Sequence, residues 1–306
     1  MHIPISAIVC TYNRADFVVR AIDSLANQTL NMDDYEILVV DNGSNDDTKR
    51  RIEEKLVTIP NLRCVYEPRL GLSVARNTGL ASSKGCVLAF LDDDAIACPG
   101  YLEEILGVFK SCQPSPGLLC GPVEPIWGAP RPTWLKDDLL GLYSVLNWSD
   151  IPRPLQEGEW IAGANFAVAK DVLSTYGGFD ENLGRKGESL LSGEDTALTD
   201  RIRMAGYAVY YAPAVAVQHH IHPERLSKAW LYRRIFWGAA SKGISDRQAI
   251  TALSKSILYV CRILWHSGCH LFSLPGTVSD EDRRLRWTRA LAKDLGRLYG
   301  FMFLGH

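Results

Sequence analysis

The stretch Cys86-Val87-Leu88-Ala89-Phe90-Leu91-Asp92-Asp93-Asp94 constrains the fold of this chain more than any other. Six uncharged, mostly apolar residues run without alternation into three consecutive carboxylates. An unbroken apolar run of this length predicts a strand covered on both faces, as in the middle of a parallel sheet. Unpaired buried charge is very costly, so the three acids must meet solvent, a divalent cation or the hydrogen-bond donors of a ligand. In open α/β sheets the crevice beyond the carboxyl ends of the strands is where ligands bind. The competing reading is a strand that runs into an acidic, solvated turn.

The preceding residues repeat the pattern. Ile5–Cys10 is a short apolar strand ending in Thr11-Tyr12-Asn13-Arg14, and Val18, Ala21, Ile22 and Leu25 recur at helical spacing over 15–28. Glu36–Val40 is a second buried strand and ends in Asp41-Asn42-Gly43-Ser44. Asp46-Asp47-Thr48 starts a helix that runs to about Leu56, with acids well placed in its first turn. Arg63–Tyr66 is a third strand, and residues 70–79 form a loop that enters a helix. Strand and helix in alternation predict a mostly parallel central sheet flanked by helices. Three strands with polar carboxyl ends on one edge make a site where one would be weak evidence. The Gly-rich dinucleotide fingerprint is missing after the first strand, which argues against a nicotinamide or flavin enzyme.

Four motifs in order, Ile8–Arg14, Val39–Ser44, Gly71–Gly79 and Phe90–Asp94, resemble the family-2 glycosyltransferases of GT-A fold. The resemblance continues through Gly163-Ala164-Asn165, Gly177–Glu181 and Gly193–Leu198, so it covers residues 3–225. It implies an inverting, metal-dependent transfer of a sugar from a nucleotide-diphosphate donor, UDP- or dTDP-linked, to a saccharide or lipid-linked saccharide, as in polysaccharide biosynthesis. By the same resemblance Thr11, Tyr12, Asn13, Arg14, Asn42 and Asp93 line the donor pocket. Asp41 receives the base, Arg76 and Asn77 lie near diphosphate or base, and Asp92 meets the ribose. Asp94 holds Mn²⁺ or Mg²⁺, and the Gly-Ala-Asn turn lies beside the donor sugar.

The chemistry of these residue types agrees. The nucleotide diphosphate gains charge as the glycosidic bond breaks, and a hard cation on its phosphates stabilises that charge. Mg²⁺ or Mn²⁺ needs only one or two carboxylates of the protein. Inversion needs a carboxylate to take the acceptor hydroxyl proton. Glu194-Asp195 opens a helix, where acids also stabilise the first turn. The resemblance implies that the base comes from this acid pair; it is assigned to Asp195, with Glu194 binding the acceptor or helping to position it, and the sequence does not separate two adjacent acids. His219, His220 and His222 follow a strand, and histidine suits a metal or diphosphate. The register from Pro213 favours His219, with His220 second. Alternation sets His219 on one side and His220 and His222 on the other.

Residues 1–113 are thus read as the nucleotide-binding half and 114–225 as the acceptor half of one domain, with a helical extension at 226–306. Residues 114–156, rich in Pro and Trp, read as an irregular excursion whose tryptophans either pack or stack on sugars. The extension carries 13 Lys+Arg against 5 Asp+Glu, and the remainder 20 against 30, so an acidic body bears a basic tail. Ile250, Leu253, Ile257, Val260, Cys261 and Leu264 recur at helical spacing. A last helix is expected from Ser279-Asp280-Glu281-Asp282, with Trp287, Leu291, Leu295 and Leu298 in a stripe. Such stripes either lie on an anionic membrane or pack on the catalytic domain or a second copy of the chain. The tail aromatics form no stacking platform, so nucleic acid is not expected as a partner.

The eight cysteines have no CxxC pair and no metal spacing, which reads as reduced thiols. Met1-His2-Ile3-Pro4 lacks the pattern of a secretory signal, and no run reaches spanning length, so a cytoplasmic place is expected, with the inner face of the plasma membrane as the alternative. Two rival functions use the same sheet. A nucleotidyltransferase would show a Gly-rich, basic phosphate loop after the first strand, where Thr11–Arg14 stands. A non-catalytic nucleotide- or carbohydrate-binding protein would not need the Glu194-Asp195 pair.

Overall fold

Parallel pairing of the apolar runs brings the polar strand ends to one edge. A computed structural model describes residues 3–187, 189–250, 253–272 and 281–304. The chain runs β1 (Ile5–Thr11), α1 (Ala15–Ala26), β2 (Tyr35–Asp41), α2 (Thr48–Leu56), β3 (Leu62–Tyr66), α3 (Leu72–Ser82) and β4 (Val87–Asp92). After β4 come β5 (Ala95–Ala97), α4 (Tyr101–Ser111), β6 (Leu118–Cys120), β7 (Val123–Trp127) and β8 (Arg153–Pro154). Next stand β9 (Asn165–Ala169), α5 (Lys170–Thr175), α6 (Glu194–Met204), β10 (Val209–Tyr211) and β11 (Val217–Ile221). The last helices are α7 (Lys228–Ala249), α8 (Leu253–Phe272) and α9 (Glu281–Tyr299), and a π-helical turn covers Gly300–Leu304.

The chain divides into two units. The first, 1–128, 143–182 and 194–221, holds an eight-stranded sheet in the order β3-β2-β1-β4-β9-β6-β10-β8 and a small sheet β5-β11-β7. The expected parallel pairing is found among β3, β2, β1 and β4, whereas β9 runs antiparallel to both β4 and β6. Every residue of β2 is buried, which explains its unalternating sequence. On α1 the buried residues are Val18, Ala21, Ile22 and Leu25, the helical stripe expected.

Two expectations are corrected in detail. The strand read over 160–168 begins only at Asn165, because Gly163-Ala164 form a turn before it. Residues 114–156 are less irregular than their composition suggests, since they supply β6, β7 and β8. Strands of two to five residues are too short to show a period. Trp148 and Trp160 pack edge to face and join the core, with Trp148 Nε1 donating to the Trp160 carbonyl.

The second unit comprises 129–142, 183–193 and 222–306. Ser227 caps α7 by accepting from the Trp230 amide. Helices α7 and α9 cross at glycines: a Cβ on Gly243 would stand 2.3 Å from the Arg297 carbonyl, and one on Gly296 2.0 Å from that of Phe236. Asp246 holds Arg297 at 2.6 Å and Lys242 at 3.0 Å and accepts from Tyr259. The expected start of the last helix at Ser279-Asp280 lies outside the described residues, as do Met1 and His2. Among the described residues no helix is long and apolar enough to cross a membrane.

Candidate active site

Strand register assembles the site. Thr11 at the end of β1 is paired with Asp41 at the end of β2, and Cys10 with Asp92 at the end of β4. The polar ends of three strands therefore stand side by side on one edge. The loops there are tied together. Asn13 adopts a left-handed conformation, φ 52°, its amide donating to Ser44 Oγ and its Oδ1 accepting from the Asn45 amide. Asp41 Oδ1 accepts from the Ser44 amide. Tyr12 is half-buried on the same turn.

The three consecutive acids reach this edge with different surroundings. Asp93 is buried: Oδ2 accepts from Thr11 Oγ1 at 2.8 Å and Oδ1 from Arg14 at 2.9 Å. Burial lifts its carboxyl above the ordinary aspartate range in spite of Arg14. Asp94 Oδ2 accepts from the same Arg14 nitrogen at 2.6 Å. Asp93 is the main cause that holds the Arg14 pKa above its usual value, against the opposing effect of burial. Solvent and ligand are thus not the only partners of the acid run; guanidinium groups bury part of it.

Arg76 is the second such group and the hub of the site. It is 2% exposed. Nη1 donates to Glu194 Oε1 at 2.8 Å, and Nη2 donates to Asp92 Oδ1 at 3.2 Å and to the Gly163 carbonyl at 3.0 Å. Phe166 and Phe179 each lie 5.5 Å from its guanidinium, a cation–π contact on each. Burial works against its charge, but Glu194, Asp92 and Asp195 outweigh it and raise the pKa. A Cβ on Gly163 would stand 3.0 Å from Arg76 Nη2 and 3.3 Å from Asp195 Oδ2, so a larger residue there would press on both side chains. Glu194 is buried and its Oε2 has no hydrogen-bond partner, whereas Asp195 is half-buried at the start of α6.

Histidine enters through the small sheet. Strand β11 pairs antiparallel with β5, with His219 opposite Ala95, and the His220 amide donates to the Asp94 carbonyl at 2.8 Å. His219 Nε2 then stands 3.2 Å from Asp94 Oδ1. The alternate residue His220 turns away, with its ring 5.3 Å from Phe17 and Nε2 3.2 Å from Arg20 Nη1. His222 belongs to the other unit and lies 3.6 Å from Glu224.

A divalent cation fits the first unit. Asp92, Asp93, Asp94, Glu194 and Asp195 set five carboxylates against the guanidiniums of Arg14 and Arg76. Two cis ligands of an octahedral ion are about 3 Å apart, close to the separation of Asp94 Oδ1 and His219 Nε2. Among the described residues no three His, Cys, Asp or Glu side chains surround one point. An ion here would take one or two ligands from the chain and the rest from phosphate and water.

Two expected donor contacts have other partners. Asn77 donates to the Phe179 carbonyl at 2.9 Å and accepts from its amide at 2.8 Å, so it clamps the 177–181 turn. Asn42 donates to the carbonyls of Glu67 and Arg69 and accepts from the Gly71 amide. Asn165 is likewise committed, its amide donating to the carbonyls of Pro122 and Val215. Sequence reasoning missed Glu67, Phe166 and Phe179. Glu67 accepts from Thr78 Oγ1 and Arg69, which draw its carboxyl down to about 2. A lone Glu at a strand end carries no signal of that role.

Residues 6–140 match Glycosyl transferase family 2. Over these residues the chain carries a family-2 glycosyltransferase domain. The chain is 28% identical to a glucosyl-dolichyl phosphate glucuronosyltransferase of Haloferax volcanii, over 79% of this chain and 77% of the relative. It is 29% identical to the succinoglycan biosynthesis protein ExoM of Rhizobium meliloti, over 79% and 74%. It shares the fold of the mannosyltransferase PcManGT from Pyrobaculum calidifontis, solved with GDP-Man and Mn²⁺. That likeness has a TM-score of 0.59 at 21% identity and covers 94% of this chain and 85% of the other.

Proposed function

We propose that this enzyme moves a sugar, with inversion, from a nucleotide-diphosphate donor to a saccharide or lipid-linked saccharide acceptor. One observation supports the reading: Arg76 bridges Asp92 on the donor edge to Glu194 on α6, and Gly163 lies beside both Arg76 and Asp195. On this reading the nucleotide-side acids and the candidate base serve one reaction. A binding protein has no use for that convergence.

Thr11, Asn13 and Asp41 would line the base and ribose side of the donor, with Asp92 at the ribose. Asp94 and His219 would hold Mn²⁺ or Mg²⁺, which neutralises the leaving diphosphate when bound. The acceptor hydroxyl attacks the anomeric carbon from the face opposite the diphosphate. As the new C–O bond forms, the bond to the diphosphate oxygen breaks and Asp195 takes the hydroxyl proton. Glu194 stays paired with Arg76 and, next to Asp195 at the start of α6, would help position it. UDP is the first donor base to test, and the GDP-Man held by the Pyrobaculum enzyme makes a guanosine donor the second.

A panel of nucleotide sugars with Mn²⁺ or Mg²⁺ tests the reading by thermal shift, because a true donor stabilises the fold by mass action. One donor should raise the Tm with cation, and Asp94→Ala should remove the cation dependence. No shift with any donor, or a shift that Asp94→Ala leaves cation-dependent, refutes it.

A further inference from the structure

The helical unit carries a surface that the transfer reaction does not use. On α8 the residues Tyr259, Ile263 and Ser267 turn inward, and Ile263 and Ser267 are buried. Ile257, Leu258, Cys261, Leu264 and Trp265 are exposed, with Leu258 at 71% and Trp265 at 74%. At 100° per residue these five fill an arc of about 120°. Lys255, Arg262 and His266 fall together along one margin of that arc, and all three are exposed. An apolar face this wide on a charged helix is seldom left in water.

Behind the same margin lies a cleft of ≈ 530 Å³ between α8 and α9. Arg262, His266, Lys293 and Arg297 line it against one acid, Asp294. Arg297 is held by Asp246 and Tyr259. Arg262 and Lys293 therefore supply positive charge beside the apolar arc. Charge decides the occupant. Residues 226–306 carry a formal +8, so a second copy packing through this same face would bring charge of the same sign, whereas an anionic leaflet brings the opposite sign.

We propose that α8 docks the protein on an anionic phospholipid surface. Ile257, Leu258, Leu264 and Trp265 enter the boundary between headgroups and acyl chains, and Lys255, Arg262, His266 and Lys293 sit at the level of the phosphates. Among the described residues no helix is long and apolar enough to go further and cross the membrane. The site is independent of which sugar the enzyme transfers.

Flotation of the full chain with vesicles tests this, using phosphatidylcholine alone against an equal mixture with phosphatidylglycerol. The intact chain should float with the mixed vesicles, remain soluble with phosphatidylcholine, and be released as salt rises. Leu258→Glu with Trp265→Glu should abolish flotation while the melting curve and the donor-induced thermal shift are kept. Arg262→Glu with Lys293→Glu, both at exposed positions, should weaken binding on the order of tenfold or more. An intact chain that stays soluble with both vesicles overturns the proposal. So does flotation indifferent to both variants, or a dimer in sedimentation velocity that the Glu pair dissolves without any vesicle binding.

Discussion

Asp195 and Glu194 are adjacent in sequence and opposite in environment. Glu194 is buried on Arg76, while Asp195 is half-buried at the mouth of α6. A proton acceptor must be reachable by the hydroxyl it serves, which favours Asp195. Asp195→Asn should therefore lower turnover on the order of 10²–10⁴-fold while donor-induced thermal stabilisation persists; normal turnover would remove the base from this position. Arg76 has a different test. Arg76→Gln leaves Glu194 buried without its countercharge, and the cost should be about 3–5 kcal/mol in urea unfolding. Arg76→Lys should recover only part, because one ammonium cannot reach Glu194, Asp92 and the Gly163 carbonyl together. A fully stable Arg76→Gln protein would mean that the hub contributes nothing to the fold.

At the level of elements, the sheet has a candidate-site edge and a structural one. The carboxyl ends of β1, β2 and β4 carry the acids and the threonine of the site. Near the opposite ends, Glu36 is buried at 2% exposure and accepts from Ser6 Oγ, the Lys84 amide and Arg63. Burial raises its pKa, but those donors more than offset this and the net shift is downward. A carboxyl depressed in the folded state adds stability that is present above its unfolded value of about 4.3 and lost as pH falls through the folded value. Glu36→Gln should thus cost about 1–3 kcal/mol near neutral pH and flatten the loss of stability on acidification below about pH 4, followed by denaturant titration. Equal acid slopes for both proteins would place the acid sensitivity elsewhere. Element pairing also explains what the histidine run left open. Sequence alternation separated His219 from His220, but only the β5–β11 ladder, joining residues 95–97 to 217–219, shows which one meets Asp94.

Across the whole chain, the helical unit has its own polar lock, in which Asp246 is held by Arg297, Lys242 and Tyr259. Burial raises its carboxyl, and the hydrogen bonds outweigh that and lower it. Asp246→Asn should lower the melting temperature by several degrees, through about 1–3 kcal/mol of lost charge-assisted bonding, while the donor-induced shift remains. An unchanged melting temperature would make the lock dispensable. The acid run after β4, the polar ends of β1 and β2, and the stripe of α1 were all legible in sequence, because burial on both faces of a parallel strand and helical periodicity are local signals. The family motifs were legible for the same reason: each is a short segment with its own chemistry. His219 was ranked first of the histidines and Asp94 named for the same ion, but Arg76 as a buried hub and the commitment of Asn77 and Asn42 to backbone could not be read. Each depends on partners distant in the chain, and which donor faces which carboxylate is decided only when packing excludes water and leaves every buried charge to find its counterpart.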